Sequence, residues 1–213
     1  MGLAREPACY HGHSCFNVFT HAAADRFTAQ MTINFCSQCG SEKIERRSPP
    51  GDDRVREICG TCGHVHYVNP KIVVGSIPVW GEKILLCKRA IEPRYGKWTL
   101  PAGFMEVNET LAEGAMRETL EEAGARITIE KLYASYSLPE ISQVYVLFLA
   151  KLDDLNYSAG IESLEVKLFS EPEIPWQELA FATIGEALKR YFADRAQGIY
   201  APHFADLRRP HKK

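Results

Sequence analysis

The chain has 213 residues, 46% of them hydrophobic, and sets 25 Lys and Arg against 27 Asp and Glu for a formal charge of −2. That is enough to bury one good core plus a small appendage, and the balanced charge argues against wholesale binding to nucleic acid or an anionic membrane. No apolar run reaches the roughly 18–20 residues of a membrane helix, and residues 1–30 lack the charged start and continuous apolar stretch of a secretory signal.

Residues 1–33 scatter Cys9, His11, His13, Cys15 and His21 among alanines and isolated aromatics, with no periodicity and no ligand spacing of a ribbon or finger. A disordered extension is expected there, with Met31 a candidate start of the folded product. Residues 34–69 then carry Cys36-Ser-Gln-Cys39-Gly40 and Cys59-Gly-Thr-Cys62-Gly63, with nineteen residues between the two pairs. Two such knuckles supply four thiolates, which close the tetrahedron of a structural Zn²⁺ and leave no position for water. A redox Cys-x-x-Cys would be a single motif on a βαβ unit. His64 and His66 are expected to be ordinary residues rather than ligands. The chain's seven cysteines are an odd number, four of them with metal spacing, which fits a reducing, cytoplasmic compartment better than a disulfide framework. Ser48-Pro49-Pro50-Gly51-Asp52 reads as a turn between the knuckles.

From Pro70 the pattern becomes that of strands. Lys71–Val79 and Lys83–Cys87 flank Trp80-Gly81-Glu82 as a hairpin, and Cys87 is expected to be a buried apolar residue. Trp98–Phe104 leads into an acidic segment. Further strands are expected over Arg126–Tyr136, Gln143–Leu152 and Glu165–Phe169, and Ile184, Ala187, Leu188, Tyr191 and Phe192 mark an amphipathic closing helix. The tail, 198–213, is basic and reads as irregular. Strands flanked by an early and a late helix suggest a mixed α/β architecture, a sheet between helical layers.

The acidic segment is the most informative. Glu106 to Glu122 holds six carboxylates and one cation, Arg117. It is also patterned as a helix: Thr110 with Glu113 makes a capping box, and Gly124 is placed for a left-handed stop. At 100° per residue, Ala112, Met116, Thr119, Leu120 and Ala123 share one side and Glu118, Glu121 and Glu122 the other. Acids in the last turn oppose the helix dipole, and Glu118 and Glu122 repel at i,i+4 by roughly 0.2–0.5 kcal/mol. A divalent cation is their natural partner, since Mg²⁺ or Mn²⁺ takes oxygen ligands and shares its shell with substrate phosphates.

Gly103, Glu109, Arg117-Glu118, Glu121-Glu122 and Gly124 are spaced as Gly-x5-Glu-x7-Arg-Glu-U-x-Glu-Glu-x-Gly-U, and the chain therefore resembles the Nudix hydrolase family. Every fixed position matches, whereas the two bulky aliphatic U positions hold the smaller Thr119 and Ala125. The resemblance implies an α/β/α sandwich over residues 70–197 behind the zinc ribbon. It also implies hydrolysis of a nucleoside diphosphate linked to another group. Glu118, Glu121 and Glu122 would bind Mg²⁺ or Mn²⁺, with the Gly103 carbonyl a further ligand. Arg117 and Glu109 would be an ion pair fixing loop against helix. The general base would be Glu121 or a loop glutamate, Glu162, Glu165 or Glu140.

His66-Tyr-Val-Asn-Pro70, Leu86-Cys-Lys-Arg89, Trp98-Thr-Leu-Pro-Ala-Gly103, Glu162-Ser-Leu-Glu165 and Leu179-Ala-Phe181 look like the zinc-ribbon Nudix enzymes that hydrolyse FAD and ADP-ribose. The Ser-Gln-Pro-Trp-Pro-Phe-Pro array of the NADH pyrophosphatases is replaced by Tyr133-Ala-Ser-Tyr-Ser-Leu-Pro-Glu140, which makes NADH the second choice. Tyr67, Phe104 and Tyr136 are candidates to stack on a base. The family resemblance favours a homodimer. The competing class is a ribbon that binds nucleic acid or protein beside an inactive Nudix domain. Between Cys36 and His66, however, five cations face five acids with no basic stripe, and the acidic ligand positions are all retained.

Overall fold

A computed structural model describes residues 33–208. The expected disorder of the N-terminal extension, its histidines and cysteines, the start at Met31 and the basic Arg209, Lys212 and Lys213 lie outside the described residues. The chain forms two compact units that meet in sequence at Val65 and His66.

In the first unit β1 (Ile44–Arg47) and β2 (Arg56–Cys59) pair antiparallel with Ile44 opposite Cys59, and β3 (Val65–His66) completes a sheet in the order β1-β2-β3. The expected turn is present: the Asp52 N–H donates to the Pro49 carbonyl at 3.1 Å, with Gly51 at φ 83°. Among the described residues the buried apolar ones of this unit are Cys36, Pro49, Ile58 and Cys59. So few leave a cross-link as the natural support for this sheet.

The second unit begins with β4 (Lys71–Trp80) and β5 (Lys83–Arg89), joined at Gly81-Glu82, then β6 (Trp98–Thr99) and β7 (Ala102–Phe104). Helix α1 (Leu111–Ala123) follows, then β8 (Ile127–Leu138), β9 (Gln143–Leu152), β10 (Ser163–Phe169), α2 (Ala182–Gln197) and β11 (His203–Asp206). The sheet order is β10-β5-β4-β9-β8-β11, with β6 on β5 and β7 on β4. It is mixed, because β4 pairs parallel with β9 and β11 parallel with β8 while the other neighbours run antiparallel.

Both faces of this sheet are covered, so its central strands are apolar nearly throughout rather than alternating with polar residues. On one face Ile77, Ile84, Leu86, Leu147 and Leu149 pack with Ile184, Leu188, Tyr191 and Phe192 of α2. On the other, Leu85, Cys87, Ala150 and Leu152 pack with Ala123 at the end of α1, and Val74, Val146 and Phe148 pack with Ala115. This is the expected α/β/α sandwich.

Two local expectations are corrected. The face α1 turns inward is Gly114, Ala115, Glu118, Thr119, Glu122 and Ala123, while Met116 and Leu120 are 37% and 51% exposed. Helix and sheet approach too closely for large side chains: a Cβ on Gly114 would lie 2.7 Å from Val74 Cγ2 and 2.7 Å from Glu109 Oε1. Small residues therefore hold the contact, and the acids ride inward with them. The tail is also not wholly irregular. After Gly198 closes α2 in a left-handed cap, His203–Asp206 adds a strand to the sheet edge. Its anchor is Asp194 of α2, whose Oδ2 lies 2.7 Å from His203 Nε2 and accepts the Tyr133 hydroxyl at 2.9 Å.

Candidate active site and metal centre

In the ribbon unit the four cysteine sulfurs, of Cys36, Cys39, Cys59 and Cys62, lie within 4.8 Å of one another. The Cys36–Cys62 and Cys39–Cys59 pairs are 3.6 Å apart. Zn–S bonds of about 2.3 Å at tetrahedral angles set the sulfurs roughly 3.8 Å apart, so the set fits the ion. The two knuckles are built alike. The Gly40 N–H returns to the Cys36 carbonyl at 2.8 Å and the Gly63 N–H to the Cys59 carbonyl at 2.9 Å, with φ of 74° and 76°. That left-handed backbone explains the glycine after each pair. The Cys62 and Thr61 N–H groups, both 3.4 Å from Cys59 Sγ, pull that thiol down to about 6, toward the thiolate a metal needs.

In the second unit the carboxylates gather on α1 and the β7–α1 loop. The helix starts as expected: Thr110 Oγ1 accepts the Glu113 N–H while Glu113 Oε2 accepts the Thr110 N–H. Arg117 occupies all five donor positions of its guanidinium. Two go to Glu109, at 2.9 and 2.8 Å, and the others to Glu118 Oε1 at 2.8 Å, Glu121 Oε2 at 3.0 Å and the Phe104 carbonyl at 3.1 Å. This planar fork locks loop to helix in a way a lysine could not. Glu109 also takes the Glu106 N–H at 2.6 Å, and the Arg117 and Glu106 bonds hold it down at about 2. It is ionised at any working pH and is spent on structure.

Glu118 and Glu122 are buried, 9% and 6% exposed. Burial raises Glu118 above the usual carboxylate range, and burial with the neighbouring Glu118 and Glu162 charges lifts Glu122 to about 8, against one backbone hydrogen bond, from Ala102 at 3.2 Å. Two buried carboxylates with strained ionisation are what a bound cation relieves. Gly103 lies against this cluster, since a Cβ there would collide with the Glu118 carboxylate. The all-oxygen donor set fits a hard divalent cation. Unlike the cysteines, the carboxylates are not drawn around one point, because Arg117 holds an oxygen each of Glu118 and Glu121.

The C-terminal carbonyls of α1 are not met by basic side chains. Gly124, Ser158 and Gly160 donate their N–H groups to Leu120, Ala123 and Glu122 at 2.8, 2.8 and 3.0 Å. That docking carries the exposed Glu162 into the field of Glu118 and Glu122, and its carbonyl receives the Ala90 N–H at 2.8 Å. Glu165 instead pairs in register with Lys88, and Glu140 sits in the short Pro139–Ile141 turn; neither is among the main charges acting on Glu118 or Glu122. Of the aromatic candidates, Tyr67 and Phe104 are exposed, while Tyr136 is buried in the core beneath α2 and cannot stack on a ligand outside it. The polar Thr119 at an aliphatic position is explained as well: its hydroxyl donates to the Ala115 carbonyl at 2.7 Å and bonds Ser76 Oγ on β4 at 2.7 Å.

Sequence reasoning missed the backbone partners, the Ala102 and Glu106 N–H groups and the Phe104 carbonyl, which no side-chain pattern reveals. It also gave no role to Arg89, which acts on Glu122, donates to the Pro93 carbonyl at 2.9 Å and lies 5.2 Å over the Phe181 ring.

Comparison with known proteins bears on this geometry. Family models match residues 34–68 as "Nudix N-terminal" and residues 69–192 as "NUDIX domain". An ADP-ribose pyrophosphatase of Methanocaldococcus jannaschii is 32% identical over 119 residues, 54% of this chain and 69% of that protein. An NAD-capped RNA hydrolase, NudC, of Vibrio vulnificus is 30% identical over 153 residues, 68% of this chain, which spans about half, 54%, of that protein's length. The crystal structure of a NUDIX hydrolase from Nitrosomonas europaea superposes with a TM-score of 0.81 at 59% identity, covering 83% of this chain and all of that one, 100%. No helix among the described residues is long and apolar enough to cross a membrane. With the family model spanning more than half of the sequence and landing on the Arg117-centred carboxylates, the chain belongs to the Nudix hydrolases.

Proposed function

We propose that the protein hydrolyses the diphosphate bridge of FAD or ADP-ribose, releasing AMP and the other monophosphate. The observation that carries this reading is the pair of buried, proton-hungry carboxylates, Glu118 and Glu122, set against the loop backbone at Gly103. Family membership makes the substrate a nucleoside diphosphate derivative, and the name of the Methanocaldococcus relative supports ADP-ribose. Glu118, Glu121, Glu122 and the Gly103 carbonyl would hold Mg²⁺ or Mn²⁺, which supplies charge neutralisation of the phosphates and a more acidic water. Arg117 and Glu109 fix the carboxylates, so that the site is preorganised before substrate arrives. Glu162, exposed and near the cluster, accepts the proton of the attacking water, with Glu121 as the other candidate base. As the new P–O bond forms, the bridging oxygen leaves with the second phosphate.

The ribbon (34–69) would carry structural Zn²⁺, the domain at 70–197 the catalysis, and 198–213 would form a C-terminal tail. A cytoplasmic homodimer is part of the same reading. NADH is the second substrate reading, and the NudC relative, named an NAD-capped RNA hydrolase, supports an NAD-type substrate. A panel of FAD, ADP-ribose and NADH with Mg²⁺ or Mn²⁺, products resolved by chromatography, tests the choice. AMP with FMN, or AMP with ribose 5-phosphate, is expected. Dominant NADH cleavage would move the assignment to the second reading, and no metal-dependent turnover of any of them would remove it.

A further inference from the structure

On the α2 side of the sheet lies a groove of about 620 Å³, within the usual range of small-molecule sites, lined among others by Arg94, Trp176, Phe181, Gly185, Glu186 and Lys189. It joins two aromatic surfaces to two cations. Neither Arg94 nor Lys189 has an ion-pair partner among the described residues, whereas the acid beside them, Glu186, is engaged by Arg190 at 2.9 Å. Arg94 stands at φ 73°, a left-handed conformation that is strained for a residue with a side chain. The loop holds it there: the Lys97 N–H returns to the Arg94 carbonyl at 3.1 Å, and Arg89 grips the adjacent Pro93 carbonyl.

The groove also takes in the start of helix α2, where Ala182 lines it. The helix begins at Phe181 with no side-chain cap and no acid in its first turn, leaving its positive end open.

The groove is tied to the catalytic carboxylates by two short paths. Arg89 stacks on Phe181 and acts on Glu122. The Trp98 carbonyl accepts the Ala180 N–H at 2.8 Å, and four residues further on the Ala102 N–H donates to Glu122.

We propose that this groove seats the organic half of the substrate, its planar ring against Trp176 and Phe181, and that Arg94 and Lys189 recognise an additional anionic group on that half. This rests on the reading of the protein as a diphosphate hydrolase and adds a selectivity to it: among nucleotide diphosphates, those carrying a further phosphate bind more tightly than their counterparts without it.

NADPH and NADH, which differ by one phosphate, serve as probes. Their Kd values are measured with Ca²⁺ in place of Mg²⁺, and their kcat and KM with Mg²⁺, for the wild type and for R94A/K189A and R94K/K189R. The wild type should bind NADPH at least ~10-fold more tightly than NADH. R94A/K189A should bring the two Kd values together and raise KM for NADPH more than it lowers kcat, while R94K/K189R retains most of the preference. Equal Kd values in the wild type, or a preference untouched in R94A/K189A, overturn the proposal. A Kd preference without turnover of any nucleotide would uphold the groove and instead overturn the hydrolase reading.

Discussion

On the proposed reading each unit prepares a place for a cation, and the two do so in opposite ways. In the ribbon, four sulfurs stand within 4.8 Å of one another around one point, fed by backbone N–H groups and held by paired glycine turns. On α1 and the loop before it, Glu109, Glu118 and Glu121 fan around Arg117, while Glu118 and Glu122 are buried at a cost in ionisation, with oxygens left over. A closed set of soft ligands holds a fold together, and its metal has no position left for a reactant. An open set of hard ligands is a poor cross-link but can share its cation with a phosphate. On that reading the number and softness of the ligands, rather than their mere clustering, separate the proposed structural site from the proposed working one.

The contrast can be broken most severely on the working side. Glu121→Gln removes one exposed carboxylate and should lower turnover by roughly 10²-fold or more, while melting temperature stays level or rises slightly. Unaltered kinetics would strike Glu121 from the catalytic set. On the structural side, Cys59→Ser should lose the zinc and unfold the ribbon, because metal binding and folding there are one process. Metal analysis that still finds one zinc per chain would contradict the four-thiolate centre.

A subtler effect follows from Glu122. Its folded value, about 8, lies above the ordinary 4.5, so the folded protein holds that proton more tightly than the unfolded chain. The stability this confers is complete below the ordinary value and is lost as pH climbs through about 8. In buffer free of divalent cations the melting temperature should therefore fall from about pH 5 to pH 8, and Glu122→Gln should flatten the slope, melting some ~4–8 °C higher at the upper end. Identical slopes in the two proteins would contradict a strained Glu122. The smallest effect expected is at Ser76 and Thr119. Thr119→Val should destabilise by ~1–3 kcal/mol by stranding the Ser76 hydroxyl, and adding Ser76→Ala should recover part of the loss. Strict additivity in denaturant melts would deny the coupling.

Much of this was legible beforehand, for reasons that differ by element. The cysteine knuckles, the Thr110–Glu113 box and the Gly124 stop are local chemistry, in which the residue and its partner lie within a few positions. The β4–β5 hairpin and the closing helix show through their periodicity. The inward face of α1 did not, since it is built from Gly114, Ala115 and Thr119 with two acids, a set that scores as polar while Met116 and Leu120 score as core. Only the closeness of helix to sheet reverses that ranking, and such closeness is a tertiary fact. Strand β11 is four residues held by the distant Asp194 and Tyr133, with no pattern of its own to announce it. The role of Arg117 as a five-bond hub was visible only as an ion pair: Glu118 and Glu121 lie within four positions of it on the same helix, but the Phe104 carbonyl, thirteen positions away, is brought to it only by the fold.

Titration calorimetry of Mn²⁺ into the zinc-loaded protein, with the Glu118→Gln/Glu122→Gln variant alongside, addresses the acidic face directly. Saturable uptake by the wild type, strengthened by a nucleoside diphosphate and abolished in the variant, is the result expected. A wild type that takes up no Mn²⁺ with or without nucleotide, or a variant that binds it equally well, would show that the buried carboxylates of α1 serve something other than a divalent cation.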